Sequence, residues 1–162
     1  MNRGKAGISP VMATVILVAI AIVIAIAVAF WATGLVGVFT RFEKIEITAA
    51  YYETGTGVIL RVRNTGSSSA TIDDIYVNGK PLGRSGVSTD TTGISSACTT
   101  GGENATYICT CSPGQEIIIQ VEGPEGSGTT WSPGVTYEVA VHTASGKTYP
   151  AAVLIPVSYT HL

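Results

Sequence analysis

Three cysteines fall within one short stretch, Cys98, Cys109 and Cys111, and thiols so spaced can bridge, bind metal or stay inert. The Cys-x-Cys pair is too close to bridge without strain, so Cys98 would pair with one of the other two and leave one thiol over. A zinc site would lack its fourth ligand, because neither a His nor a second Cys pair lies nearby. A bridge in an oxidising, external compartment is the favoured reading, ahead of inert thiols and of metal. In the same stretch Asn104-Ala105-Thr106 forms an N-glycosylation sequon, where a glycan would shield the surface around it. Asp73 and Asp74 are acidic enough to attract calcium, but neighbouring strand residues project to opposite faces, which favours a polar edge over a binding site. His142 alternates with apolar neighbours and reads as a solvent-facing or hydrogen-bonded strand residue, while His161 sits in a tail given no role. No phosphate loop, metal-binding His pair or nucleophile elbow is present in the sequence, so no catalytic, cofactor-binding or metal residue is assigned and the chain is expected not to be an enzyme.

These residues need a scaffold, and the period of the sequence supplies one. From Glu43 onward apolar residues recur every second position: Ile45, Ile47 and Ala49, then Val58, Leu60 and Val62. Residues 70–77 read as a third strand, and Asn78-Gly79 is a type I′ turn signal leading into Lys80-Pro81-Leu82. Residues 84–113, rich in Ser, Thr and Gly and holding all three cysteines, read as a loop without strands. Strands resume over residues 115–123, apolar enough to be central, and over 135–143, which turn at Ala144-Ser145-Gly146 into 148–155. Six or seven short antiparallel strands predict a β-sandwich of the Ig-like kind. Trp131 and the tyrosines Tyr51, Tyr52, Tyr76, Tyr107, Tyr137 and Tyr149 are expected mostly in its core or in cross-strand pairs.

Ahead of the sandwich, residues 11–39 run without one charged side chain. As a helix this run would extend about 43 Å, beyond the roughly 30 Å hydrocarbon core of a bilayer. The Ala-Ile alternation alone would suit a strand, but a lone strand in lipid leaves its backbone unpaired, whereas a helix satisfies it internally. Ser9 is placed to cap the first amides, and Pro10 suits the first helical position. At a four-residue step Ala21, Ala25, Ala29, Thr33 and Gly37 form a line of small residues that lets helices approach closely. Phe30 and Trp31 suit an interfacial belt. Arg3 and Lys5 before the run outweigh the balanced Arg41, Glu43, Lys44 and Glu46 after it, which places the start in the cytoplasm and the sandwich outside. The fold class is therefore α+β, a long hydrophobic N-terminal helix followed by an antiparallel sandwich. With 9 basic and 11 acidic residues in 162 and a formal charge of −2, the chain has no basic surface for nucleic acid.

A secretory signal would be cut after its apolar segment, yet the basic-then-small junction here, Lys5-Ala6-Gly7, lies in front of it. A charge, a small residue, then Gly7-Ile8-Ser9-Pro10-Val11 and an Ala/Ile/Val helix resemble the class III signal peptide of archaeal type IV pilin-like proteins. Asn64-Thr65-Gly66-Ser67 and Thr143-Ala144-Ser145-Gly146 likewise resemble text in the β-rich heads of archaeal pilins and archaellins. The resemblance implies a prepilin-peptidase-type cut between Ala6 and Gly7, with Lys5 the recognised charge and Ala6 the small side chain before the cut. It divides the chain into a signal peptide (1–6), a membrane and filament-core helix (7–42), an extracellular sandwich (43–157) and a tail (158–162) that resembles translated adapter sequence.

The implied partners are other copies of the chain in a homopolymeric filament, the peptidase, the pilus assembly machinery and, before assembly, the membrane; no nucleic acid and no cofactor are expected. The implied location is the cell membrane as a precursor and then a surface filament with an adhesive head. Where bacterial type IV pilins carry a Glu at the fifth mature position this chain has Val11, so docking by that charge does not carry over. The Ser-Pro-Val opening resembles adhesion pilins more than archaellins, which makes a motility filament the lesser reading. A single-pass anchored binding protein that never polymerises is the alternative from another class.

Overall fold

The computed structural model describes residues 10–39, 41–102 and 105–157. The chain divides into two compact units, Met1–Arg41 and Phe42–Leu162. In the first, helix α1 spans Pro10–Phe39, 30 residues without an acidic side chain in its first turn or a basic one in its last. Its backbone is helical throughout despite the Val and Ile content, because length and internal hydrogen bonding outweigh the small propensity penalty of β-branched residues.

The second unit is a two-layer antiparallel sandwich. Its strands are β1 (Ile45–Glu53), β2 (Gly57–Asn64), β3 (Ala70–Val77), β4 (Lys80–Pro81), β5 (Val87–Asp90), β6 (Thr99–Thr100), β7 (Cys109–Cys111), β8 (Glu116–Val121), β9 (Thr136–Thr143) and β10 (Thr148–Leu154). One sheet runs β1-β2-β8-β5 and the other β10-β9-β3-β7-β6, with β4 paired to β3. Val58, Leu60, Val62, Ile117, Ile119 and Val121 from the first sheet meet Ile72, Ile75, Val77, Val139 and Val141 from the second in one apolar core. Asn78 (φ 50°) and Gly79 (φ 78°) form the left-handed pair that joins β3 to β4, as the Asn-Gly signal predicts.

Two departures from strict alternation have a common cause. In β1 the register shifts between Ile47 and Ala49, so Ala50 and Tyr52, not Ala49, follow Ile45 and Ile47 onto the core face. In β3 a shift between Ile72 and Asp74 takes up Asp73, and Ile75 and Val77 resume the inward phase. Each is a β-bulge, which inserts one residue and inverts the pattern downstream.

Residues 84–113, expected as a loop, instead contain β5, β6 and β7. These strands are two to four residues long, and their text, Val-Ser-Thr-Asp, Thr-Thr and Cys-Thr-Cys, offers too few apolar positions for a period of two to register.

Candidate functional site: the apolar helix and the clamp at the head's entrance

Every described side chain of α1 is exposed, including fourteen large apolar ones from Val11 to Trp31. At about 1.5–3 kcal/mol for each large apolar side chain moved fully out of water, this surface is worth on the order of tens of kcal/mol to any apolar surrounding. Residues Pro10–Gly34 alone, 25 in number, are long and apolar enough to cross a membrane. The few hydroxyls do not spoil the surface. Thr14 Oγ1 donates to Val11 O at 2.8 Å, and Thr33 Oγ1 lies 3.0 and 3.1 Å from the carbonyls of Ala29 and Phe30. Ala21, Ala25, Ala29, Thr33 and Gly37 all lie on this continuous helix. At 3.6 residues per turn each four-residue step gains about 40°, so the line is a shallow spiral that suits neighbours crossing at an angle.

In the second unit, the chain enters through Phe42–Lys44, and both sheets grip that segment. From the turn after β2, the amides of Thr65 and Gly66 donate to Lys44 O at 2.9 and 3.1 Å, and those of Ser67 and Ser68 to Phe42 O at 2.9 and 3.1 Å. Phe42 N donates in return to Ser67 Oγ at 3.0 Å. From the β9–β10 turn, Ser145 Oγ donates to Glu43 Oε1 at 3.0 Å and Lys147 Nζ to Glu43 O at 3.1 Å. The approach at Gly66 is so close that a Cβ there would sit 2.6 Å from both Lys44 N and Phe42 O.

The two buried polar side chains among the described residues, Asn64 and Thr143, each hold one jaw of this clamp. Asn64 Nδ2 donates to Ser68 O and Cys111 O, both at 2.8 Å, while its Oδ1 accepts from Gly66 N at 2.9 Å. Thr143 Oγ1 pairs with Ser145 Oγ at 3.0 Å and donates to Lys147 O at 3.3 Å. Residue-by-residue reading singled out neither. The two turns, Asn64-Thr65-Gly66-Ser67 and Thr143-Ala144-Ser145-Gly146, converge on residues 42–44.

Cys98 and Cys111 form the disulfide, with Cα atoms 4.4 Å apart, and Cys109 is the thiol left over. The bridge sits where the chain changes sheets. Cys98 N donates to Glu116 O of β8 at 3.2 Å, while Thr99 and Thr100 just beyond pair with β7. Burial pushes the Cys109 thiol up to about 12.

The remaining candidates are engaged by neighbours within the head. Asp73 Oδ1 lies 2.7 Å from His142 Nδ1, and Tyr76 stacks on that imidazole at 5.1 Å. Asp74 Oδ1 accepts from the amides of Ile75 and Gly83, both at 2.7 Å. No group of three or more metal-ligating side chains occurs among the described residues. Trp131 is buried edge-on to Tyr137, and Tyr52, Tyr137 and Tyr149 pack on the core, whereas Tyr51 is exposed. Lys5, Ala6, Gly7, Ser9, Asn104 and His161 lie outside the described residues.

No family description matches the chain, and no curated protein matches it in sequence. Among solved structures it is similar to the archaellum periplasmic stator protein FlaG from Sulfolobus acidocaldarius, with a TM-score of 0.46 and 18% identity over 68% of this chain and 99% of that one. It is also similar to a chain of the FlaF and FlaG stator complex from the same organism, with a TM-score of 0.40 and 19% identity over 68% of this chain and 89% of that one.

Proposed function

We propose that the chain is a structural subunit of an archaeal type IV-like pilus, in which α1 polymerises into the filament core and the sandwich is displayed for adhesion. The observation that carries this reading is the helix itself, apolar on every side for 30 residues. At about 45 Å it exceeds what a bilayer needs by roughly a half, and the surplus serves contacts with several neighbours along a fibre. The role is mechanical and adhesive. Whatever pulls on the chain upstream of Phe42 acts on the head through residues 42–44, where the clamp shares the load between the two sheets.

Removal of residues 1–6 takes away Arg3 and Lys5, the charges that would anchor the helix at the inner face, and leaves it free to exchange lipid for sister helices. The same helix left unprocessed would be a permanent membrane anchor. Mass spectrometry of the mature amino terminus, with electron microscopy of surface fibres, tests the proposal. A chain beginning at Gly7 and repeating along fibres is expected, and Lys5→Glu should block both processing and fibres. Normal fibres from that variant, or a native chain that keeps its leader and stays dispersed in membranes, would overturn it.

A further inference from the structure

We propose that the end of the sandwich opposite its entrance carries a binding groove for neutral oligosaccharides. The β1–β2 turn lies at the far end of β1 from residues 42–44, roughly 25 Å away along a nine-residue strand. There a groove of about 570 Å³ opens between that turn, the end of β8 and the loop before Trp131. Its volume falls within the roughly 300–1,000 Å³ of small-molecule sites.

The lining selects the ligand. Gln120 presents a carboxamide, able to donate and accept, steadied by Ser88 Oγ at 3.3 Å. Tyr52, Thr56, Glu122 and Thr130 also line the groove, and their side-chain polar atoms make no hydrogen bond to any described residue. The Trp131 indole is spent on the Glu122 main-chain carbonyl at 2.9 Å, so it forms wall, and the Glu122 carboxylate stays free. Among the described residues no Lys, Arg or His lines the groove, which disfavours phosphate, sulfate and uronate ligands. A single carboxylate is too few for a cation site, which needs several oxygen ligands. Hydroxyls, a carboxamide, one carboxylate and a tyrosine instead match the alternating donors and acceptors of an uncharged polyol.

Gly55 (φ 91°) and Gly128 (φ 83°) also line the groove, and a Cβ at either would meet nothing within 4 Å, so the groove is uncrowded there. The proposal deepens the adhesive reading above by naming what the head would adhere to, and it rests on that reading only for the groove's outward display.

The full chain in phospholipid nanodiscs, free of sugar-based detergent, should be titrated calorimetrically with maltohexaose, cellohexaose and mannohexaose. A sulfated heparin hexasaccharide and inorganic phosphate serve as anionic probes. At least one neutral hexasaccharide should bind, and should bind at least tenfold more tightly than either anionic probe. Gln120→Ala and Glu122→Ala should each weaken binding at least fivefold with the melting temperature unchanged, because Trp131 bonds to the main chain of Glu122. Glu46→Ala, near the entrance, should leave binding as it was. Absence of neutral-sugar binding, preference for the anionic probes, or undiminished binding by both groove variants would each overturn the proposal. Fibres without sugar binding would sink the groove alone, and sugar binding without fibres would sink the pilus alone.

Discussion

The Asn64 carboxamide, at the end of β2, donates to the carbonyl of Cys111 in β7 at 2.8 Å and so ties one sheet to the other through a side chain with no solvent exposure. Its other partners, Ser68 O and Gly66 N, lie in the turn that grips the entering chain. Asn64→Ala leaves the Ser68 and Cys111 carbonyls without this donor, at roughly 1 kcal/mol or more apiece, and removes one of the two acceptors of Gly66 N, the other being Lys44 O. The head of this variant should lose about 3 kcal/mol in urea unfolding followed by circular dichroism. Asn64→Asp should be worse at pH 7, since both donated bonds are lost and a carboxylate faces two carbonyl oxygens. A loss under about 1 kcal/mol in either variant would show that the carboxamide does not hold the sheets together.

Cys109 sits beside the disulfide but takes no part in it, and burial raises its thiol from an ordinary 9.0 to about 12. A thiol whose folded value lies above its unfolded one stabilises the fold fully below the unfolded value, and that contribution fades as pH climbs from about 9 toward 12. Each pH unit inside the window is worth about 1.4 kcal/mol. Urea unfolding at pH 8 and pH 10.5 should therefore show the native chain losing about 2 kcal/mol more than Cys109→Ala over the same interval. Equal losses would mean that the thiol reaches solvent, as would rapid maleimide labelling of the folded chain at pH 8.

The main elements of the fold are legible in the sequence because hydrophobic period is a direct record of burial. The unbroken apolar run gave α1, the alternating stretches gave β2, β3 and β9, and a short apolar run gave β8, each at nearly its observed limits. What escaped has physical causes. A bulge costs one residue and leaves no mark on composition, so Ala49 was placed where Ala50 and Tyr52 lie. The strands β5, β6 and β7 are too short and polar to show a period, although two of the cysteines that ended up bridged mark their neighbourhood. The clamp depends largely on backbone amides meeting backbone carbonyls, groups that every residue carries and no residue type announces.

Gly66 shows why the clamp contains a glycine where no left-handed backbone demands one. A methyl group at this position would lie 2.6 Å from both Lys44 N and Phe42 O, and both contacts are main-chain atoms that cannot swing aside. Gly66→Ala should cost about 1–3 kcal/mol, the usual range for an added methyl in a tight site. Hydrogen exchange should quicken first at the amides of residues 65–68, before the β2 and β8 core amides respond. Gly102→Ala, with nothing within 4 Å of its Cβ, is the matched control and should change neither reading. Protection of residues 65–68 unchanged in Gly66→Ala would mean that the entrance can widen without cost.

The small-residue line on α1 makes a separate demand, because it concerns what the helix meets outside its own chain. Ala25 and Ala29 lie one four-residue step apart on a line of small residues, so a neighbouring helix can approach closely along it. Leucine at either position fills the depression and pushes neighbours apart, while hydropathy and helix propensity are preserved, so insertion into a membrane should be unaffected. Fibres assembled from Ala25→Leu or Ala29→Leu should come apart at lower temperature than native fibres, with the head's own unfolding unchanged. Ile24→Leu, a volume-conserving exchange off the line, should leave fibres as they were. If the alanine variants give fibres of native stability, the helices pack through their large side chains and the line is an accident of composition. If Ile24→Leu is equally damaging, the fibre core is tightly packed all round, and no single stripe directs its assembly.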